Sequence, residues 1–216
     1  MYRTRIKICG LTRPEDAAAA VAAGADALGV VLAPSKRQVT LDQAAAVFAD
    51  VPPLVARVGV FVNAHADQVW EACARLSLTA VQFHGDETPE TCDAAPVPVI
   101  KALRVGPGFD PAATERYRGT VSALLLDTLV TGGAAGGTGV AFDWHAVASR
   151  LPRWAPVLLA GGLGPDNVAE AIGVLKPYAV DVSSGVEKAP GVKDHRLIER
   201  FVAAVRNADE SAVPTT

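Results

Sequence analysis

Apolar residues gather along this chain in short, near-continuous runs, separated by alanine-rich segments whose apolar positions recur three or four residues apart. The runs cover 6–9, 25–32, 55–62, 80–84, 97–101, 121–127, 156–160 and 178–182. Each has the length of a strand, and a strand that is apolar on both faces belongs in a parallel sheet covered on both sides. The intervening segments predict helices over 14–23, 41–49, 66–76, 87–95, 111–118, 144–150, 165–175 and 194–207. Parallel strands joined by right-handed crossovers make either an open doubly wound sheet or a closed barrel. Eight units in 216 residues average about 27 each, the size of a compact βα unit. The expected fold class is therefore α/β, a single (β/α)8 barrel with a closed parallel eight-stranded sheet and outer helices. A flavodoxin-like open sheet with added elements is the alternative.

The first strand, Arg5-Ile6-Lys7-Ile8-Cys9, gives this pattern a chemical direction. Lys7 and Cys9 are two apart and share one face, while Ile6 and Ile8 share the other. A cation and a thiol on the interior face suit chemistry at a barrel mouth better than they suit packing. Gly10 then turns the chain, and Thr12-Arg13-Pro14-Glu15-Asp16 reads as a helix start, with Pro in the first turn and carboxylates near the positive end of the dipole. In such barrels the strand C-termini and the loops after them build the active face. The strand ends offer Cys9, His84, Asp127 and Asp181, and the loops offer Arg37, Gly161-Gly162 and Ser183-Ser184-Gly185. A carboxyl that follows Leu124-Leu125-Leu126 costs desolvation unless it is used or paired, which singles out Asp127. Lys101, ending the fifth run, reads either as the partner of Asp127 or Asp181 in a buried pair or as a pocket residue. Glycines and hydroxyls after strands seven and eight are where barrels of this class hold phosphate, so Gly161, Gly162, Ser183, Ser184 and Gly185 are the expected phosphate site. The stretch 132–139 lacks the Gly-Lys-Ser/Thr ending of a P-loop and reads as a mobile lid or a plain connector.

Composition narrows the function classes. Hydrophobic residues make up 50% of the chain and the net charge is −3, so a large core is expected and a nucleic-acid partner is not. No apolar run reaches the roughly 18 residues of a membrane span, and no secretory leader is evident. Three cysteines without close pairing argue against a disulfide framework or a zinc ribbon and fit a reducing cytoplasm. Cys73 and Cys92 fall on helices and read as packing. No His/Asp set has metal-ligand spacing. Residues 1–207 are expected to form the barrel, and 208–216, small and polar, to fray.

Taken together, KICGLT from Lys7, VGVFVN from Val58, VQFHG from Val81, LLDT from Leu125, FDW from Phe142, LAGGL from Leu159 and DVSSGVE from Asp181 resemble the phosphoribosylanthranilate isomerase family of tryptophan biosynthesis. The matches run in order across about residues 5–205. The resemblance implies a (β/α)8 barrel that converts N-(5-phosphoribosyl)anthranilate to 1-(2-carboxyphenylamino)-1-deoxyribulose 5-phosphate, an Amadori rearrangement needing no cofactor and no metal. It places the general base on Cys9 and the general acid on Asp127, and it sets Arg37 against the anthranilate carboxylate. Lys7, His84 and Asp181 are the further expected substrate-binding residues. Residues 31–34 (VLAP) depart from the family pattern, which often has an aromatic residue there. A monomer with only the small-molecule substrate as partner is expected. Other phosphosugar barrels, an epimerase or an indole-forming lyase, would share the phosphate loops. The lyase wants a Lys–Glu pair and an N-terminal extension, and the epimerase wants metal ligands or paired aspartates. A non-catalytic phosphometabolite-binding barrel is the remaining alternative.

Overall fold

A computed structural model describes residues 3–106, 109–128, 148 and 151–211. Eight parallel strands close into a barrel in chain order: β1 (Arg5–Ile8), β2 (Ala27–Val31), β3 (Ala56–Phe61), β4 (Ala80–Phe83), β5 (Val99–Val105), β6 (Ala123–Thr128), β7 (Val157–Ala160) and β8 (Ala179–Val182). The barrel closes where β1 pairs with β8, in the register Lys7 beside Asp181. Closure rules out the open-sheet alternative. Helices α1 (Pro14–Ala23), α2 (Leu41–Phe48), α3 (Ala66–Leu76), α4 (Pro89–Asp93), α5 (Val168–Leu175) and α6 (His195–Ser211) accompany it. The expected helix over 144–150 lies, apart from Ala148, outside the described residues, as does the glycine-rich stretch 132–139.

Strand alternation builds two separate cores. Outward residues such as Ile6, Ile8, Leu126, Leu159, Val180 and Val182 join the helices in the larger one. Inside the barrel, Ala102, Ala123, Leu125, Leu158, Ala160 and Ala179 form a smaller one, backed by Ile100. Its small side chains leave the mouth-side levels of the interior to polar groups.

Several elements differ from the sequence-based expectation, β5 among them, which runs to Val105 rather than ending at 101. The helix expected over 87–95 shrinks to α4, because Thr88 caps it by accepting from the Thr91 N–H while Glu87 turns away to a buried lysine. Residues Pro111–Tyr117 form a 3₁₀ helix rather than an α-helix; the Thr114 hydroxyl donates back to the Pro111 carbonyl at 2.7 Å within this tight turn. Helix α6 runs on to Ser211, four residues past its expected end, because Asp209 is tied down. Its carboxylate accepts from the backbone N–H and the hydroxyl of Thr4, at 2.9 and 2.6 Å. A short hairpin, β9 (Glu187–Ala189) and β10 (Val192–Lys193), follows β8 and was not foreseen.

Candidate active site

The mouth is built from the ends of β1, β4, β6 and β8 and the loops beyond them. Lys7 points inward and is fully buried; its Nζ donates to Asp181 Oδ1 and to Gln82 Oε1, both at 2.9 Å. Burial alone would lower the Lys7 ammonium, but Asp181 and Cys9 outweigh it and hold it above its ordinary 10.5. Cys9 follows β1, its N–H held by the Val182 carbonyl at 2.8 Å. Lys7 favours the thiolate here, as the strand pairing suggests, yet it does not decide the outcome. Burial pushes the Cys9 thiol above its ordinary 9.0, Asp181 adds to the rise, and the pull of Lys7 is the smaller effect. The net effect of its surroundings in the free protein is to favour the neutral thiol.

Space for that thiol comes from Gly29 on β2. A Cβ built there would sit 2.9 Å from Cys9 Sγ and 3.3 Å from both Lys7 Cε and Nζ, closer than side chains tolerate. Gly10 does the same for the loop. Its φ of +70° suits glycine, and a Cβ would meet Arg37 Cδ at 2.5 Å and Ser183 Oγ at 2.8 Å.

From Lys7 a file of side chains crosses the mouth. Gln82 Nε2 lies 3.1 Å from His84 Nδ1, and His84 Nε2 lies 3.2 Å from Asp127 Oδ2. Asp127 is not sealed in: a third of its side chain is exposed, and His84 is nearly as open. The file thus runs Asp181, Lys7, Gln82, His84, Asp127, from β8 through β1 and β4 to β6.

Arg37 is brought to the same mouth but is already engaged. Its Nε and Nη2 donate to the two oxygens of Glu187 at 2.7 and 2.6 Å. Glu187 also accepts from Lys193 Nζ at 2.9 Å. Burial would raise the Glu187 carboxyl, but hydrogen bonds from Arg37 and Lys193 overcome it and hold it below 4.5. Lys193 reaches on to the Ser183 carbonyl at 3.0 Å, and burial pulls its ammonium below 10.5 despite Glu187. The β9–β10 hairpin supplies both residues, turned by Gly191 at φ +79°.

The loops after β7 and β8 meet directly. Gly161 and Gly162 take left-handed φ values of +88° and +65°. Asn167 braces the first loop, accepting from the Gly164 N–H at 2.8 Å and donating to the Gly162 carbonyl at 2.9 Å. Gly185, in a 3₁₀ turn over Ser184–Val186, lies against this loop so closely that a Cβ would overlap the Leu163 carbonyl.

Lys101 does not pair with Asp127 or Asp181 and does not line the pocket. Neighbouring Ile100 and Ala102 face inward, so Lys101 faces outward, where its Nζ donates to Glu87 at 2.9 Å and to the Gly85 carbonyl at 2.7 Å. Sequence reasoning also missed Gln82, Gly29, Glu187 and Lys193. Gln82 could have been found from its position two residues before His84 on one strand, and Glu187 from its place in DVSSGVE. Gly29 and Lys193 give no local signal. Among the described residues no three His, Cys, Asp or Glu side chains come together in a way that could hold a metal ion.

Known proteins place the chain as a whole. Residues 6–204 match the family described as "PRAI: N-(5'phosphoribosyl)anthranilate (PRA) isomerase". An N-(5'-phosphoribosyl)anthranilate isomerase of Pseudomonas putida is 53% identical over 210 residues, which cover 96% of this chain and all of the relative. The crystal structure of phosphoribosyl anthranilate isomerase from Thermotoga maritima superposes with a TM-score of 0.85 at 41% identity, covering 94% of this chain and 99% of that one. A second crystal structure, of a phosphoribosyl anthranilate isomerase in complex with reduced 1-(o-carboxyphenylamino)-1-deoxyribulose 5-phosphate, gives a TM-score of 0.80 at 39% identity over 94% of this chain and 99% of that one. The chain belongs to the N-(5'-phosphoribosyl)anthranilate isomerase family.

Proposed function

We propose that Cys9 and Asp127 are the base and the acid with which this chain rearranges N-(5-phosphoribosyl)anthranilate in tryptophan biosynthesis. The observation that carries the reading is the polar file across the mouth. It links the β1 end, where the buried thiol sits, to the half-open carboxyl of β6. Asp127 gives a proton to the furanose ring oxygen, opening the ring to a Schiff base. Cys9 takes the proton from C2, and the resulting enolamine tautomerises to the ketone. The ammonium of Lys7 offsets the negative charge of a thiolate as it forms. Glu187 fixes the Arg37 fork, leaving its Nη1 edge for the anthranilate carboxylate. The touching loops after β7 and β8 bring Gly161, Gly162, Ser183, Ser184 and Gly185 to one place, which suits a phosphate held on backbone N–H groups.

No described helix is long and apolar enough to cross a membrane. Free thiols at Cys9, Cys73 and Cys92 fit the cytoplasm. Among the described residues the exposed large apolar side chains are Trp70 on α3 and Leu54, Val62 and Tyr178 in three separate loops, which fits a monomer; light scattering on the eluting protein checks it.

The deciding experiment follows the loss of anthranilate-type fluorescence on freshly made substrate. Cys9→Ala and Asp127→Asn each lower kcat by roughly 10²–10⁴-fold with little change in substrate binding. Wild-type turnover in either variant would refute that residue's role.

A further inference from the structure

Gln82 is an amide buried between a cation and an imidazole, and the hydrogen-bonding inventory allows it one orientation. Lys7 Nζ has only protons to offer, so the Gln82 atom 2.9 Å from it is the carbonyl oxygen. The amide NH2 is then the group 3.1 Å from His84 Nδ1. An NH2 can only donate there, so Nδ1 is bare. In the neutral ring the proton sits on Nε2, which faces Asp127 Oδ2 at 3.2 Å. We infer that Gln82, itself oriented by Lys7, fixes the His84 tautomer so that His84 donates to Asp127. This makes Gln82 a positioning residue for the acid step.

The consequence is chemical. With the proton on Nε2, one oxygen of Asp127 accepts from His84, and any acid proton is directed to the other oxygen, free for the substrate. With the opposite tautomer a bare Nε2 would lie 3.2 Å from the acid and would take that proton into its own hydrogen bond. The same Nε2–H also stabilises the carboxylate left after the proton has gone, a gain made only as the reaction proceeds. Gln82 never touches the substrate in this account; it acts through His84.

This inference rests on Asp127 being the acid, but its first test does not. Long-range ¹H–¹⁵N spectra of histidine-labelled protein separate the two neutral tautomers, and His84→Asn identifies the His84 signals by their loss. The wild type shows the Nε2–H pattern at His84. In Gln82→Glu the new carboxylate still accepts from Lys7 and now also from His84 Nδ1–H, so Nδ1 gains a proton, whether the ring becomes the doubly protonated imidazolium between two carboxylates or the opposite neutral tautomer, and kcat falls. Gln82→Met removes the constraint without adding charge, and kcat falls about tenfold with KM little changed. Added to His84→Asn, Gln82→Met costs nothing further, because the residue through which it acts is already gone. An Nδ1–H pattern in the wild type, an unchanged pattern in Gln82→Glu, or equal losses from Gln82→Met in both backgrounds would each overturn the inference. Full activity in Asp127→Asn would instead remove the acid and leave the tautomer assignment standing.

Discussion

Two lysines on this barrel look alike by every measure of burial and differ in everything that follows from strand direction. Lys7 on β1 and Lys101 on β5 each lie 2.9 Å from a carboxylate, with side chains 2% and 1% exposed. Lys101 faces outward, into a closed account of donors and acceptors. It donates to Glu87 and to the Gly85 carbonyl, and Glu87 in turn accepts the backbone N–H groups of Asn63 and Gly85 at 2.8 and 2.9 Å. The Tyr117 hydroxyl seals the same turn by donating to the Glu87 carbonyl at 3.0 Å. Lys7 faces inward, and its partners lead somewhere: a thiol on one side and, through Gln82 and His84, an acid on the other. A buried ion pair is therefore not a mark of function. What distinguishes the two is whether the partners face a space that a substrate can enter.

Removing each lysine breaks the comparison most directly. Lys101→Met leaves the Glu87 carboxylate buried without its cation, and unfolding in urea shows a loss of about 3–5 kcal/mol. The protein that remains folded keeps its kcat. Lys7→Met costs less stability, since Asp181 is nearer the mouth with 8% exposure, but it lowers kcat sharply. If Lys101→Met abolished turnover in the folded protein, or Lys7→Met destabilised more, the distinction drawn from strand direction would be wrong.

A pair of glycines sharpens it at smaller cost. Gly29→Ala pushes a methyl against Cys9 Sγ and Lys7, inside the barrel. Gly59→Ala, on β3, pushes one against Leu78 Cδ1 at 2.7 Å and Phe61 Cε2 at 3.0 Å, outside it. Both overpack and lose about 1–3 kcal/mol in thermal or urea unfolding. Only Gly29→Ala moves kcat, by about tenfold, because only there does the crowded atom belong to the reacting thiol.

How far such a molecule can be read from its sequence follows the same line between inside and outside. The barrel was legible because parallel strands buried on both faces must be continuously apolar, and because eight such runs alternate with helices. Cys9, His84, Asp127 and Asp181 were legible because each lies within one residue of a strand's C-terminal end, where a polar side chain after an apolar run stands out. Arg37 was placed correctly after strand two, but not its bond to Glu187, because that partner lies 150 residues away. Lys101 was misread for the opposite reason. Its strand continues to Val105, so Lys101 sits within β5 rather than at its end, and alternation points it outward. Gly29 carries no signal at all, since a glycine reveals its purpose only when the atoms filling its missing side chain are known.

The gentlest test uses acid. Burial would raise the Glu87 carboxyl, but the Asn63 N–H and Lys101 overcome it and hold it below its ordinary 4.5. A carboxylate whose folded value is depressed adds stability that is complete above its unfolded value and is lost as pH falls through the folded one. The slope is at most about 1.4 kcal/mol per pH unit for one such group. Glu87→Gln cannot titrate, and at pH 7 it is less stable than the wild type because Lys101 has lost its counter-charge. As pH drops below 4.5 the wild type loses what the variant never had, and the gap between their urea midpoints narrows. A gap that stayed constant down to pH 3 would mean that the Lys101–Glu87 pair owes its strength to shape and hydrogen bonding, with charge adding little.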